Sequence, residues 1–306
     1  MSISRRTFFK GVAGAVGMGL LPASQLHAQT TNSNADVAAF FRFKLGSYDM
    51  ITIYDDIIPL PVYFVGVNVP GVEVREAIDQ MFPVGSGDLT ATILNLVLID
   101  GDRIAIFDTG NGTKLVPTLE AAGITPDQVT DVIISHYHPD HIGGLSNGNT
   151  LTFPNAMVHF PQVEYDYMQE APSSVVSNAT RKLQPALDAE QVTFFAPDAE
   201  VMAGVQAIAS PGHTPGHANF LINSGTRQLI HLADTAVSPY GSLPHPEWHF
   251  GADTDPVVAV ESRIAILSRL SDERIQAFGY HYSFPGLGYA MRQGQADSWW
   301  WVPVAF

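Results

Sequence analysis

Residues 131–144, DVIISHYHPDHIGG, constrain this chain more than any other stretch. After Asp131 comes a continuous apolar run, Val132 to Ile134, with no polar alternation, as expected of a strand buried on both faces. Such a strand fits a mixed α/β fold whose sheets are covered by helices. Where the run ends, the chemistry inverts. His136, His138, Asp140 and His141 fall within six positions, and Pro139 with Gly143-Gly144 shapes the turn. The whole chain has only 11 histidines. Concentrating them on a turn anchored by a rigid strand lets their side chains converge.

Flanking segments extend the same pattern. TATILNLVLID (90–100) and RIAIFDTG (103–110) read as strands joined by a Gly101-Asp102 hairpin turn. Between them and 131–136, Leu115, Leu119 and Ala122 fit a short helix stopped by Gly123, which makes a β-α-β alternation. Upstream, FRFKLGSYDMITIYDD reads as two β segments about a Gly-Ser turn, and 70–88 as an irregular Pro/Gly-punctuated stretch able to cover a pocket. Further strands are expected at 157–160, 205–210, 219–223, 228–233 and 275–280, and helices at 161–170, 174–190 and 256–271. The last helix has Asp255 as cap, Pro256 in its first turn and an apolar stripe of Val257, Val260, Ile264, Leu267 and Leu270. The terminal SWWWVPVAF (298–306) is expected as a packed strand, available for a homodimer contact.

At the other end, Arg5, Arg6, Phe8, Phe9 and Lys10 precede a short apolar run and a small-residue end at Ala28. This order is that of a twin-arginine export signal over 1–28, and the run is too short to span a bilayer. A polar tether is expected over 29–38 and a single folded domain over 39–306, located in the periplasm or secreted. The formal net charge of −15 becomes three units more negative once the three basic signal residues leave. Such a chain repels nucleic acid and anionic membrane, and is expected to act on a small molecule without stable membrane insertion. Zero cysteine excludes disulfides, thiolate ligands and thiol nucleophiles. Chemistry falls to histidine, carboxylate, hydroxyl or metal.

A lone histidine is more often packed than ligating, but four donors on one tight turn exceed the three that one open tetrahedral ion takes from the protein. Two divalent ions, expected as zinc, therefore require more donors at later strand ends. His213 lies in ASPGHTPGH (209–217), Asp234 in LIHLADT (229–235) and His281 in AFGYHY (277–282). The expected set is His136, His138 and His213 on one ion, Asp140, His141 and His281 on the other, and Asp234 bridging. A pair roughly 3.5–4 Å apart can hold a bridging hydroxide at neutral pH, with Asp140 beside it to take and return a proton. Asp108 is expected to orient a ligand imidazole or to bond turn amides, and His217 to make a structural hydrogen bond. His159 and His231 are expected in the core or on a sheet face. Trp248 and His249 are candidate pocket walls, with Tyr280 or Tyr282 polarising a substrate carbonyl.

These residues resemble the metallo-β-lactamase superfamily, whose H-x-H-x-D-H motif is matched by His136, His138, Asp140 and His141. Its later histidine, aspartate and histidine are matched by His213, Asp234 and His281, and FDTG (107–110) and GHTPGH (212–217) add to the likeness. From about Phe40 onward, the resemblance implies an αββα four-layer sandwich with mixed sheets, helices outside and the metals at one edge. Within the superfamily the chain is similar to the methyl parathion hydrolase group through HPDHIGGL, FPNAMV, ASPGHTPGH, FPGLG and VPV. In that group aromatic side chains line the leaving-group pocket, one of them from the loop after DTG. Here that loop, NGTKLVPT, has no aromatic, and Met168 stands where a Trp would be sought. The expected activity is therefore ester or lactone hydrolysis, ahead of aryl phosphotriester (organophosphate) hydrolysis. Thioester cleavage ranks lower for want of a basic C-terminal segment, β-lactam cleavage for want of a Cys ligand. The alternative class is a non-catalytic metal-binding module, whose site would be closed and four-coordinate.

Overall fold

A computed structural model describes residues 39–81 and 87–304; the expected export signal and tether lie outside them. Strands β1 (Phe40–Leu45) and β2 (Tyr48–Leu60) form the expected hairpin. A 3-10 turn, Val62–Val65, and helix α1 (Gly71–Met81) lead to β3 (Leu89–Asp100). The β-α-β unit is β4 (Arg103–Phe107), α2 (Leu115–Ala121) and β5 (Asp131–Ile133). The one-turn helix α3 (Pro139–Ile142) follows, then a small hairpin, β6 (Ser146–Asn147) and β7 (Thr150–Leu151). β8 (Met157–Pro161), α4 (Gln162–Glu170), α5 (Ser173–Asp188) and β9 (Val192–Phe195) complete the first half. The second half comprises β10 (Glu200–Met202), β11 (Val205–Ala209), β12 (Ala218–Ser224), β13 (Arg227–His231), α6 (Pro256–Glu273), β14 (Gln276–Phe278), β15 (Leu287–Arg292) and β16 (Trp299–Pro303).

Each half builds one mixed seven-stranded sheet. The first has the order β1-β2-β3-β4-β5-β8-β9, parallel from β4 onward; the second runs β10 to β16 in sequence, with only β13 and β14 parallel. Period-2 alternation decides the layers. On β4, Ala105 and Phe107 face the second sheet, where Phe220, Ile222, Leu229 and Phe278 meet them. Ile106 faces the opposite way, toward Leu115 and Leu119 of α2 and Val176, Ala179 and Leu183 of α5. On the far side of the second sheet, Leu221 and Ile230 pack on Ile266, Leu267 and Leu270 of α6. The order is helix, sheet, sheet, helix, so both sheets are covered and the loops at their common edge are held between rigid layers. Among the described residues no helix is long and apolar enough to cross a membrane.

Two expectations need correction. The stretch at 70–88 contains a helix, α1, whose Val74 and Ile78 lie one turn apart and pack with Val62, Val65 and Trp248. Bracketing prolines and glycines mask that period in the sequence. On α6, Asp255 accepts from the Val258 amide as expected, but Val257 is 61% exposed and the buried face is Ala259, Arg263, Ile266, Leu267 and Leu270. The buried face keeps Leu267 and Leu270 of the expected stripe and is rotated to include Arg263. β9, β10 and β15 were not anticipated: they are short or carry a glycine, and pairing with neighbours holds them extended.

Candidate metal centre

The candidate donors come from four loops at one edge of the sandwich: after β5, between β11 and β12, after β13 and after β14. The turn after β5 is held against the DTGNG turn after β4. Thr109 donates its amide to the His141 carbonyl at 2.7 Å, and Gly144 donates to the Gly110 carbonyl at 3.0 Å. This approach explains the paired glycines, because a Cβ on Gly144 would lie 2.2 Å from the Thr109 carbonyl oxygen and one on Gly143 2.4 Å from that of Pro139. Asp108 itself adopts a left-handed conformation, φ +56°. There its carboxylate accepts from the Ser135 amide and hydroxyl, both at 2.7 Å.

All seven expected donors converge. One atom each from His136, His138, His213 and Asp234 lies within 4.8 Å of the others, and a second group contains Asp140, His141 and His281. Asp234 spans the two. Its Oδ2 is 3.1 Å from His213 Nε2 and 3.9 Å from His136 Nε2, while its Oδ1 is 3.0 Å from His141 Nε2 and 3.1 Å from His281 Nε2. Asp140 Oδ2 lies 3.5 Å from His281 Nε2. Despite these distances, His136 Nε2, His141 Nε2 and Asp234 Oδ1 are buried without a hydrogen bond. Buried polar atoms are rarely left so, and imidazole nitrogens facing a shared carboxylate are the donor set that zinc and related ions take. The residues present fit a pair of divalent ions.

The far side of each imidazole is anchored, which aims the near side. His136 Nδ1 donates to Ser135 Oγ at 3.0 Å, His141 Nδ1 to Asp108 Oδ2 at 2.8 Å, His213 Nδ1 to Asp253 Oδ1 at 3.0 Å and His281 Nδ1 to the Thr92 carbonyl at 2.8 Å. Asp108 thus plays both expected roles. His138 differs: its Nδ1 points inward, 2.9 Å from His213 Nε2. Two neutral histidines hold the Asp234 turn. His217 Nε2 accepts from the Asp234 amide at 3.1 Å, and His231 Nδ1 from that of Ala233, whose φ is +40°. Burial drives the pKa of His136, His138 and His217 well below the usual histidine range. At His213 burial acts the same way but is outweighed by Asp234 and Asp253, and the value is pushed up to about 9. Burial opposes ionisation of Asp234 too, yet His141 and His281 hold its pKa well below the carboxylate range. The cluster is thus built around a permanent carboxylate.

Above the donors opens a cleft of about 290 Å³ whose floor is His138, Asp140, His213, Asp234 and His281 and whose walls are mainly apolar: Ile58, Leu60, Tyr63, Phe64, Val237 and Phe250. None of the five expected pocket residues lines it. Trp248 lies behind the wall, against Gly66 and stacked on His245 at 4.1 Å. His249 pairs through its backbone with Val67 and Asn68. Tyr280 and Tyr282 are buried beneath, the former donating to the Asp140 carbonyl at 2.7 Å and the latter edge-on to Trp301. Met168 belongs to the core under α5. The cleft aromatics missed were Tyr63, Phe64 and Phe250; Phe250 directly follows Trp248 and His249, the residues expected to wall the site. Also missed were Asp253 and Arg263, although an arginine four residues before Leu267 on an apolar helix face is a legible signal of a buried partner.

Residues 89–275 match the family model of the metallo-beta-lactamase superfamily. An N-acyl homoserine lactonase of Bacillus cereus is 31% identical over 126 residues, 39% of this chain and 43% of that protein, so the chain spans less than half of that relative's length. A probable metallo-hydrolase of Mycobacterium bovis is 27% identical over 128 residues, covering 38% of this chain and 40% of its own. Among solved structures, AidC, a dizinc quorum-quenching lactonase in complex with a product, aligns with a TM-score of 0.82 at 26% identity over 89% of this chain and 99% of its own.

Proposed function

The chain belongs to the metallo-β-lactamase superfamily, and from that premise we propose that it hydrolyses uncharged lactones and related carboxylic esters with a pair of divalent ions, zinc being the expected metal. The observation that carries this reading is the position of Asp234, one oxygen toward each histidine group, beneath a largely apolar cleft. His136, His138, His213 and Asp234 Oδ2 would hold one ion; Asp140, His141, His281 and Asp234 Oδ1 the other. Bound there, such ions supply an activated water near neutral pH and an electrophile for the carbonyl oxygen. Asp140 Oδ2 borders the cleft with its side chain 22% exposed, so it can take the proton of the attacking water and return it to the departing alkoxide as the acyl C–O bond breaks. The walls seat an apolar acyl part and exclude water. Among the described cleft residues none is Lys or Arg, which favours neutral substrates over the carboxylate-bearing β-lactams and glutathione thioesters. The lactonase relatives support the same choice.

Aryl phosphotriesters are the second reading, favoured by Tyr63, Phe64 and Phe250, which give the cleft the aromatic wall that the loop after the DTG turn lacks. The test is a panel run on zinc-loaded protein: N-hexanoyl homoserine lactone, a p-nitrophenyl ester, an aryl phosphotriester and a glutathione thioester. The lactone is expected to give the highest kcat/KM, and Asp234→Ala to lower it by on the order of a hundredfold or more. Hydrolysis of none of the four by wild type, or equal activity of the variant, would overturn the proposal. The arginine pair and apolar run at the N-terminus support export of the folded protein to the periplasm. Exposed Trp300, Val302 and Met291 on the β15–β16 hairpin offer a surface for a second copy.

A further inference from the structure

Arg263 is 1% exposed on the inner face of α6, and its guanidinium spends its donors on four partners. Nε donates to the Thr235 carbonyl at 2.8 Å, Nη1 to the carbonyls of Pro246 at 2.9 Å and Trp248 at 2.7 Å, and Nη2 to Asp253 Oδ2 at 3.1 Å. The Asp253 side chain is fully buried as well, and its other oxygen accepts from His213 Nδ1 at 3.0 Å. The backbone repeats this link, with Thr254 donating to the His213 carbonyl and Asp255 to that of Gly212. A buried ion pair is no sure source of stability, since desolvation offsets most of the attraction. The placement of this pair is therefore informative.

Resting on the reading that His213 holds an ion, we infer that Arg263 and Asp253 are positioning residues for one of the two metals, the one assigned to His136, His138 and His213. Asp253 accepts from His213 Nδ1 and so turns Nε2 toward Asp234 Oδ2, 3.1 Å away. Arg263 fixes Asp253, and through the Thr235 carbonyl it also pins the residue after Asp234. The same guanidinium anchors residues 246–253, which carry Phe250 and Ala252 into the cleft, so one side chain ties wall and ligand together. The histidines of the second group do not lean on this pair. His141 leans on Asp108, and His281 on the Thr92 carbonyl.

That asymmetry gives a readout other than activity. Full-length wild type, Asp253→Asn and Arg263→Met are loaded with zinc and titrated with a graded chelator, with metal content measured at each step and the thermal midpoint of each metal-free form recorded. Wild type is expected to release two ions. In Asp253→Asn one ion should come off at roughly 10–100-fold lower chelator strength while the other is held as before. Arg263→Met should do the same, and Arg263→Lys, which keeps a charge opposite Asp253, should recover part of the loss. If Arg263→Met does not fold, Asp253→Asn decides alone. Unchanged release of both ions from Asp253→Asn would overturn the inference. So would equal weakening of both together with a lower metal-free midpoint, because that marks a role in the fold alone. A wild type holding fewer than two ions would remove the metal reading and this inference with it.

Discussion

Tyr280 precedes a candidate ligand, yet the fold gives it a different task. Its ring stacks on His141 with centroids 4.1 Å apart, and its hydroxyl donates to the main-chain carbonyl of Asp140 at 2.7 Å. Burial, reinforced by the surrounding carboxylates, raises its pKa well above the usual tyrosine range. A phenol so committed supports the turn and does not reach the cleft. Tyr280→Phe is therefore expected to cost about 1 kcal/mol in chemical denaturation and to leave kcat within about threefold of wild type. A kcat loss above about tenfold at unchanged stability would restore the substrate-polarising role. At this scale the candidate ligands were legible because their chemistry is scarce: few residue types bind metal, and seven of them sit at the ends of apolar runs. The cleft wall was not. Tyr63 and Phe250 differ in no way of type from Tyr280 and Trp248, and only packing decides which ring faces a substrate and which faces the core.

The strands set the turns that bear the site, and β5, at three residues, is as short as β14 and shorter than β11 and β13. It is held by parallel neighbours on both sides and by one cross-strand contact at the end remote from the donors. His159 Nε2 on β8 lies 2.7 Å from Asp131 Oδ1 on β5. Burial would raise the pKa of Asp131, but the imidazole and the Thr130 hydroxyl outweigh it and hold it below the usual value of 3.8. Because the folded-state value is the lower one, the contact stabilises above the ordinary aspartate range and is lost as pH falls through it. Asp131→Asn is expected to cost about 1–2 kcal/mol at neutral pH, measured by urea unfolding of metal-free protein, and the difference from wild type should shrink as pH falls below the ordinary aspartate range. A pH-independent difference would show that packing, not charge, holds the strands. Long buried strands and the β-α-β unit could be read from the sequence because their periods are strong. Helix α1 could not, since only Val74 and Ile78 mark its buried face between proline and glycine brackets. On α6 the apolar stripe was right at Ile264, Leu267 and Leu270 but not at Val257, because the buried face is rotated to take in Ala259, Ile266 and a paired Arg263.

At the scale of the whole molecule, the four layers gather seven donor groups at one edge and bury five of them, His136, His141, His213, Asp234 and His281, which is costly while their inward-facing atoms lack partners. His136, His141 and Asp234 each present a buried atom with no hydrogen bond. Ions that bind the folded chain and not the unfolded one stabilise it by mass action, about 4 kcal/mol each when free metal exceeds Kd a thousandfold. For a domain of this size roughly 2–4 °C accompanies each kcal/mol, so exhaustive chelation is expected to lower Tm by on the order of 20 °C. Re-addition of zinc should restore it. Asp234→Ala supplies the internal control, because removing the shared carboxylate disables both groups at once: its melting should hardly respond to chelator. If wild type melted at the same temperature with and without metal, the orphaned donors would owe their positions to the protein scaffold alone. The two-ion centre would then have no thermodynamic basis in this fold.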